Sequence, residues 1–186
     1  MPLKKMIGAA FFAAIISVLS QFYIPIGAVP HTLQVMAVVL AGVVMGPAYG
    51  AVSVIVWILL GLCGLPVFTM GHSGPTVLAG PTGGFILGFI VQAWLCGFCH
   101  ISRSGWIRSA AIALVSLAVT YIIGLIGFMT VFAFFLHKAM TWQTAVTACV
   151  VPFLPFDIIK VFLGLFISSR ISQALEKAGL SVRAHN

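Results

Sequence analysis

The stretch Val151-Pro-Phe-Leu-Pro-Phe-Asp157-Ile-Ile-Lys160 places one acid and one base three residues apart in a strongly apolar chain. The sequence has 186 residues, of which 62% are hydrophobic, and it contains two acidic residues. The other acid, Glu176, lies in the polar tail, so Asp157 is the sole carboxylate in an apolar segment. The two prolines of the stretch break regular structure and favour a helix that starts just after the second one. On that helix Asp157 and Lys160 lie on the same face.

A charged pair at the edge of hydrocarbon has two interpretations. It is either an ion pair that fastens one helix to its neighbours or part of a functional site. Ionisable groups at membrane depth are costly and rare, and most of them line the path of a substrate or an ion. The functional interpretation of Asp157 and Lys160 is therefore favoured.

Composition excludes a soluble or disordered chain, because the mean hydropathy is +1.22 and 6% of the residues are charged. A membrane-spanning helix needs about 20 apolar residues, so the length allows about six spans. Long apolar runs favour helices over a barrel. We predict an all-α integral membrane protein with one domain over residues 1–186 and helices at about 6–24, 34–46, 48–62, 82–100, 108–136 and 156–176.

The basic residues are dispersed among the loops, which indicates a membrane orientation and not a nucleic-acid surface. With the N-terminus inside, the inner segments hold Lys4, Lys5, Arg103, Arg108, Arg170, Lys177 and Arg183, and the outer loops hold Lys138. Both termini are then cytoplasmic. The irregular loops at 25–30, 64–80 and 138–155 lie outside together with Asp157. Irregular backbone at membrane depth lines a cavity or is buried in protein, which predicts an outward-facing pocket.

Several kinds of chemistry are disfavoured by the residues present. Cys96-Gly-Phe-Cys99-His100 matches the haem-attachment pattern, but the arginines that follow place this end in the cytoplasm, where that attachment does not occur. Pro81-Thr-Gly-Gly84 has no following Lys and is not a nucleotide-binding loop. One carboxylate without clustered His or Cys cannot complete a metal shell. Asp157 also lacks the partner acid or nucleophile of a membrane hydrolase.

The predicted pocket suits a small, partly apolar molecule with a few hydrogen-bonding groups and one anionic end. Its polar members are Asp157, Lys160, Gln34, Thr82 and the amides of Gly83 and Gly84, and its aromatic members are Trp57, Phe68 and Phe85. The residues leave two functions open, a binding subunit and an ion-coupled carrier in which Asp157 is protonated. A membrane enzyme is a more remote third.

The first apolar segment carries small residues four apart, Ala9 with Ala13 and Ala10 with Ala14. Such a face lets another helix approach closely. Spacing alone does not separate packing within the chain from docking of another subunit.

Four motifs, in order, resemble the BioY family, the biotin-binding S components of energy-coupling factor (ECF) transporters. They are Val29-Pro-His-Thr-Leu-Gln34, Gly61-Leu-Cys-Gly-Leu-Pro-Val-Phe68, Gly80-Pro-Thr-Gly-Gly84 and Pro152-Phe-Leu-Pro-Phe-Asp157-Ile-Ile-Lys160. The resemblance extends to about Leu175. It implies a six-helix S-component fold in a bacterial cytoplasmic membrane, with no chemistry or cofactor of its own. It also implies a membrane coupling subunit docked on Ala9, Ala10, Ala13 and Ala14, and two ATPase subunits that use the ATP.

The resemblance also implies roles for individual residues. Asp157 and Lys160 match the family's D-x-x-K and become the main polar contacts to biotin, although the end of biotin that each holds stays open. Second-rank contacts are Gln34, Gly83 and Gly84, with Thr82 beside them, and the expected walls are Trp57, Phe68 and Phe85. Phe85 stands where relatives commonly have Tyr, and Phe156 where they often have Gly. The alternative remains a solitary ion-coupled carrier for another small metabolite.

Overall fold

The computed structural model describes residues 2–25, 30–99, 101–134 and 141–179. Within these ranges there are seven α-helices: α1 Pro2–Ser20, α2 Gln34–Leu62, α3 Pro75–Leu78, α4 Gly83–Cys96, α5 Ile101–Phe134, α6 Trp142–Cys149 and α7 Leu154–Lys177. A short antiparallel hairpin joins α1 to α2 through β1 Tyr23–Ile24 and β2 His31–Thr32. A 3-10 turn spans Thr69–Gly71.

The described helices are those of a multi-pass membrane protein. Leu3–Ser20, Gln34–Leu62 and Gly105–Phe134 are long and apolar enough to cross a bilayer, and α6 with α7, bent by 51°, meets the same criterion when the pair is taken together. The remaining apolar helix, α4, is shorter. Because α2 is broken inside, the main helical segments roughly match the predicted count of six.

The break in α2 lies at Gly46, where the predicted helices 34–46 and 48–62 meet. Gly46 has a φ of 81° and a ψ of 176°, a conformation that glycine adopts without a Cβ penalty. The two halves adjoin, so the predicted helices 34–46 and 48–62 are joined directly by a kink. Gly97, just after α4, packs on this kink, where a Cβ would collide with the backbone of Pro47.

Other helix ends differ from the sequence-based bounds by a few residues. α1 ends at Ser20 and not at residue 24, and α4 ends at Cys96 and not at residue 100. α5 starts earlier than predicted and turns at Gly105, where φ is 79°. The predicted positions 135–136 and the polar tail 180–186 lie outside the described residues. α6, which is not among the six predicted helices, is capped by Thr141, whose Oγ1 accepts from the Thr144 N–H at 3.3 Å.

The bundle has two chemically different ends. At one end Lys5 lies 5.4 Å from the centre of the Tyr49 ring, and Cys99 Sγ donates to Ser109 O at 3.4 Å. At the other end the Ser20 hydroxyl, at the close of α1, donates to Val67 O at 2.6 Å. α1 and α5 begin at the first of these ends, and α7 finishes there. We call it the basic end after its Lys and Arg residues. The basic residues at this end include Lys4, Lys5, Arg108, Arg170 and Lys177.

Helices α4 and α5 run antiparallel and touch through glycines. A Cβ on Gly127 would lie 2.6 Å from Gly84 Cα, and one on Gly84 would lie 2.9 Å from Gly124 O. Such contacts let two helix backbones approach where lipid gives no hydrophobic driving force. This packing fixes the height of α5 relative to α4 and hence the position of the side chains that α5 presents.

We predict that Gly127→Leu destabilises the fold by about 1–3 kcal/mol, the usual cost of overpacking, since the Gly84 backbone cannot yield. Thermal unfolding of the purified protein in detergent should show a lower midpoint. Ala118→Leu, at an exposed position of the same helix, is the matched control and should leave the midpoint unchanged. Equal midpoints for both variants would contradict the glycine contact.

Candidate functional site

The end opposite the basic end holds a cavity of about 410 Å³, a volume within the range of small-molecule sites. Its walls come from the start of α2, the segment between α2 and α4, and parts of α4, α5, α6 and α7. The lining is mostly apolar, with Val35, Phe89, Leu117 and Phe153 among its members. The charged side chains of the lining are Asp157 and Lys160, and the Tyr121 hydroxyl lies beside them.

That polar wall centres on Asp157. Lys160 Nζ donates to Asp157 Oδ1 at 2.8 Å, and the Tyr121 hydroxyl donates to Oδ2 at 2.7 Å. The Lys160 and Asp157 side chains are 12% and 8% exposed. Both carboxylate oxygens are therefore satisfied, by a charge on α7 and by a hydroxyl on α5, which lets an acid persist at this depth.

Local sequence explains why the acid lies here. Pro155 lies in the first turn of α7, where its missing N–H costs nothing. Asp157 is also in that first turn, where the positive end of the helix dipole stabilises a carboxylate. Asp157 lies on the buried face of α7, in line with Val161 and Leu165, which have no exposed surface. This register turns Asp157 towards α5 and not towards lipid.

The hairpin fastens the start of α7 from the other side. His31 Nε2 donates to Pro152 O at 3.1 Å, and its ring lies 3.8 Å from that of Phe153, centre to centre. The next residue, Thr32, donates through Oγ1 to Gln34 Oε1 at 2.9 Å. Gln34 Nε2 has no hydrogen-bond partner among the described residues, which leaves this amide available to a ligand in the cavity.

Six of the nine predicted ligand contacts line the cavity: Gln34, Phe68, Thr82, Phe85, Asp157 and Lys160. The structure brings them together from four separate parts of the chain. Their contact with a ligand remains a prediction, and their convergence is the geometry it requires.

The other three predicted contacts, Gly83, Gly84 and Trp57, are not part of the cavity lining. A Cβ on Gly83 would collide with the Leu78 carbonyl, and Gly84 packs against α5, so these glycines serve close packing. Trp57 has no exposed surface; its indole donates to Val67 O at 3.0 Å, and its ring supports Phe68 edge-on at 5.2 Å. Trp57 therefore backs the wall without forming it.

The four alanines of α1 divide into two pairs. Ala9 and Ala13 are 2% and 0% exposed, packed within this chain among core residues that include those of α2. That half of the predicted docking face is therefore unavailable to a partner, because the α1–α2 contact already uses it. Ala10 and Ala14 are exposed on the adjacent face of the helix.

Tyr121, which was not among the residues predicted from the sequence, completes the Asp157 cluster. The one signal for it is a phenol in a long apolar run, since a buried Tyr hydroxyl usually finds a hydrogen-bond partner. Phe85 meets this Tyr edge-on at 6.3 Å, so the ring predicted as a wall also supports the hydroxyl bound to Asp157. Thr120 and Cys149, also unpredicted, line the cavity from α5 and α6.

Cys96 and Cys99, near the basic end, form hydrogen bonds with serine residues of α5. Cys96 Sγ lies 3.1 Å from Ser116 Oγ, and His100 of the same motif is outside the described residues. Among the described residues no group of three or more His, Cys, Asp or Glu side chains could hold a metal ion.

Comparison with known proteins gives the family. The BioY family model matches residues 1–177. The chain is 35% identical to the biotin transporter BioY of Thermotoga maritima, over 92% of this chain and 97% of that one. It is 35% identical to a probable biotin transporter BioY of Pyrococcus horikoshii, over 92% and 98%. The crystal structure of the S-component for biotin from an ECF-type ABC transporter superimposes with a TM-score of 0.80 at 30% identity, over 92% of each chain, which confirms the predicted fold. The chain belongs to the BioY family.

Proposed function

We propose that this chain binds biotin and carries it into the cell as the substrate-capture subunit of an ECF-type ABC transporter. The observation that carries the proposal is the Asp157–Lys160–Tyr121 cluster on one wall of a 410 Å³ cavity in a member of the BioY family. Membership of a transporter family also means that the chain is not an enzyme.

The chemistry of the cluster suits biotin. A ureido ring carries two N–H donors and a carbonyl acceptor, and the valerate carries an anionic end. The Asp157 carboxylate accepts from the ureido N–H groups, and the Lys160 ammonium donates to a carbonyl or a carboxylate. The apolar part of the bicyclic ring and the alkyl chain fit walls made of Phe68, Phe85 and their neighbours.

The proposed orientation places both termini in the cytoplasm. The basic end of the bundle then faces inward, as the positive-inside rule requires. The cavity is at the opposite end. The charge of Lys160, which lines the cavity, is balanced there by Asp157. This arrangement opens the cavity to the outside, where the vitamin arrives.

The proposed partners are a membrane coupling subunit and two ATPase subunits. Ala10 and Ala14 form an exposed small-residue stripe on α1, and a partner helix packs closely on such a stripe. ATP is used in the partner chains, so capture of biotin by this chain alone needs no nucleotide.

A solitary ion-coupled carrier needs Asp157 to gain and lose a proton. Protonation would remove the charge that Lys160 and Tyr121 both satisfy, which leaves a buried ammonium without its counter-ion. Uptake into proteoliposomes separates the two functions: we expect it to require the ATPase module with ATP, and uptake driven by a pH gradient alone would favour the carrier.

We predict that Asp157→Asn weakens biotin binding more than ten-fold, about 1.4 kcal/mol or more. The amide brings N–H donors to a place where Lys160 already donates, and it strands that ammonium. Calorimetric titration of the purified variant measures the loss. Glu176→Gln, which neutralises the other acid at an exposed position of α7, is the control and should bind as the unchanged protein does. Full affinity in Asp157→Asn would refute the site.

We predict that Tyr121→Phe also weakens binding, by about ten-fold or more, because a hydrogen bond to a charged group contributes about 1.5–3 kcal/mol and the carboxylate loses its fixed orientation. The ring and its contact with Phe85 are kept. Tyr49→Phe, at the basic end, is the matched control. Binding that is unchanged or tighter in Tyr121→Phe would show that the hydroxyl does not serve the site.

A further inference from the structure

The loop that follows α2 is held by side chains from α1 and α2. Val67 O accepts from the buried Ser20 hydroxyl at 2.6 Å and from the Trp57 indole at 3.0 Å. Beside this pair, Gln21 bonds the loop with both ends of its amide. Gln21 Nε2 donates to Phe68 O at 2.9 Å, and Gln21 Oε1 accepts from the Gly71 N–H at 3.1 Å.

These two Gln21 bonds bracket an unusual backbone conformation. Met70 has a φ of 63° and a ψ of 22°, and it is the one non-glycine residue with a positive φ in the described ranges 2–25, 30–99, 101–134 and 141–179. A side chain with a Cβ disfavours this left-handed region, which persists when the surroundings over-determine it. Gln21 holds the loop at the residues on either side of Thr69 and Met70.

The bracketed segment forms one wall of the cavity. Phe68, Thr69, Met70 and His72 all line it. Phe68 is 1% exposed and packs so closely on Gly61 that a Cβ there would collide with its ring. Gln21 itself is absent from the lining, so any effect it has on a ligand acts through this loop.

We propose that Gln21 is a positioning residue that keeps the 68–72 loop closed over the cavity and so slows the escape of the ligand. The amide is suited to this task because it accepts from one loop N–H and donates to one loop carbonyl at the same time. The identity of the ligand rests on the proposed function, whereas the clamp on the loop does not.

Dissociation of radiolabelled biotin from the full-length protein tests the proposal. Gln21→Ala should release biotin about 3- to 10-fold faster, the range expected for the loss of hydrogen bonds in a partly exposed site. Gln173→Ala, an exposed glutamine of α7 near the basic end, is the matched control and should release biotin at the unchanged rate. A rate for Gln21→Ala equal to that of the control overturns the proposal.

A double-mutant cycle tests whether Gln21 acts through Met70. Asn tolerates the left-handed region better than Met does, so Met70→Asn should make the loop depend less on the clamp. The acceleration caused by Gln21→Ala should therefore be at least two-fold smaller in the Met70→Asn background. Strictly additive effects on the logarithm of the rate would overturn this route of action.

Hydrogen exchange without biotin separates failure of the clamp from failure of the ligand assignment. Gln21→Ala should speed exchange in the 67–72 segment, where the Gly71 N–H loses its acceptor, and leave exchange in α5 unchanged. Unaltered exchange in 67–72 overturns the clamp. Faster exchange in a protein that binds no biotin would leave the clamp supported and refute only the proposed ligand.

Discussion

The structure depends on giving one buried carboxylate, that of Asp157, a hydrogen-bond partner for each of its oxygens. The Asp157 carboxylate is accommodated because Lys160 and Tyr121 each donate a hydrogen bond to one of its oxygens and because it lies at the start of α7, where the helix dipole is positive. Loss of any one of the three side chains leaves a buried polar atom of the cluster without its hydrogen-bond partner, so the three act as a unit. The position of Tyr121 is in turn set by the α4–α5 contact.

Close packing of the helices makes the cavity possible. Glycines at the α4–α5 crossing bring the two backbones into contact, which carries Phe85 and Tyr121 to the same wall. The kink at Gly46 lets both halves of α2 pack on their neighbours, and Gly97 fits against it. Hydrogen bonds from Ser20 of α1 and Trp57 of α2 then hold the loop that follows α2 beside the cavity. The apolar space is therefore a product of backbone contacts, and the wall with Asp157, Lys160 and Tyr121 carries its charged groups.

Much of this was predictable from sequence because the signals are local. Apolar runs gave the helices, and the rarity of an acid in hydrocarbon identified Asp157 and, by helical spacing, Lys160. Contacts between distant segments were not predictable. Tyr121, whose hydroxyl bonds to Asp157, is 36 residues from it in the chain. Nothing in the α5 sequence fixes the height of Tyr121 relative to α7. The same limit explains Gly83, Gly84 and Trp57, which lie behind the wall, since sequence does not tell a glycine facing a ligand from one facing a helix. Ala9 and Ala10 are adjacent in sequence, yet only the position of α2 decides which of them is buried.

The most direct test is a titration of biotin into the purified, full-length protein in detergent. Our account predicts saturable binding of one biotin per chain without nucleotide or partner subunits, with the Asp157 cluster as its polar contact. A correctly folded protein that takes up no biotin in this titration would contradict the account.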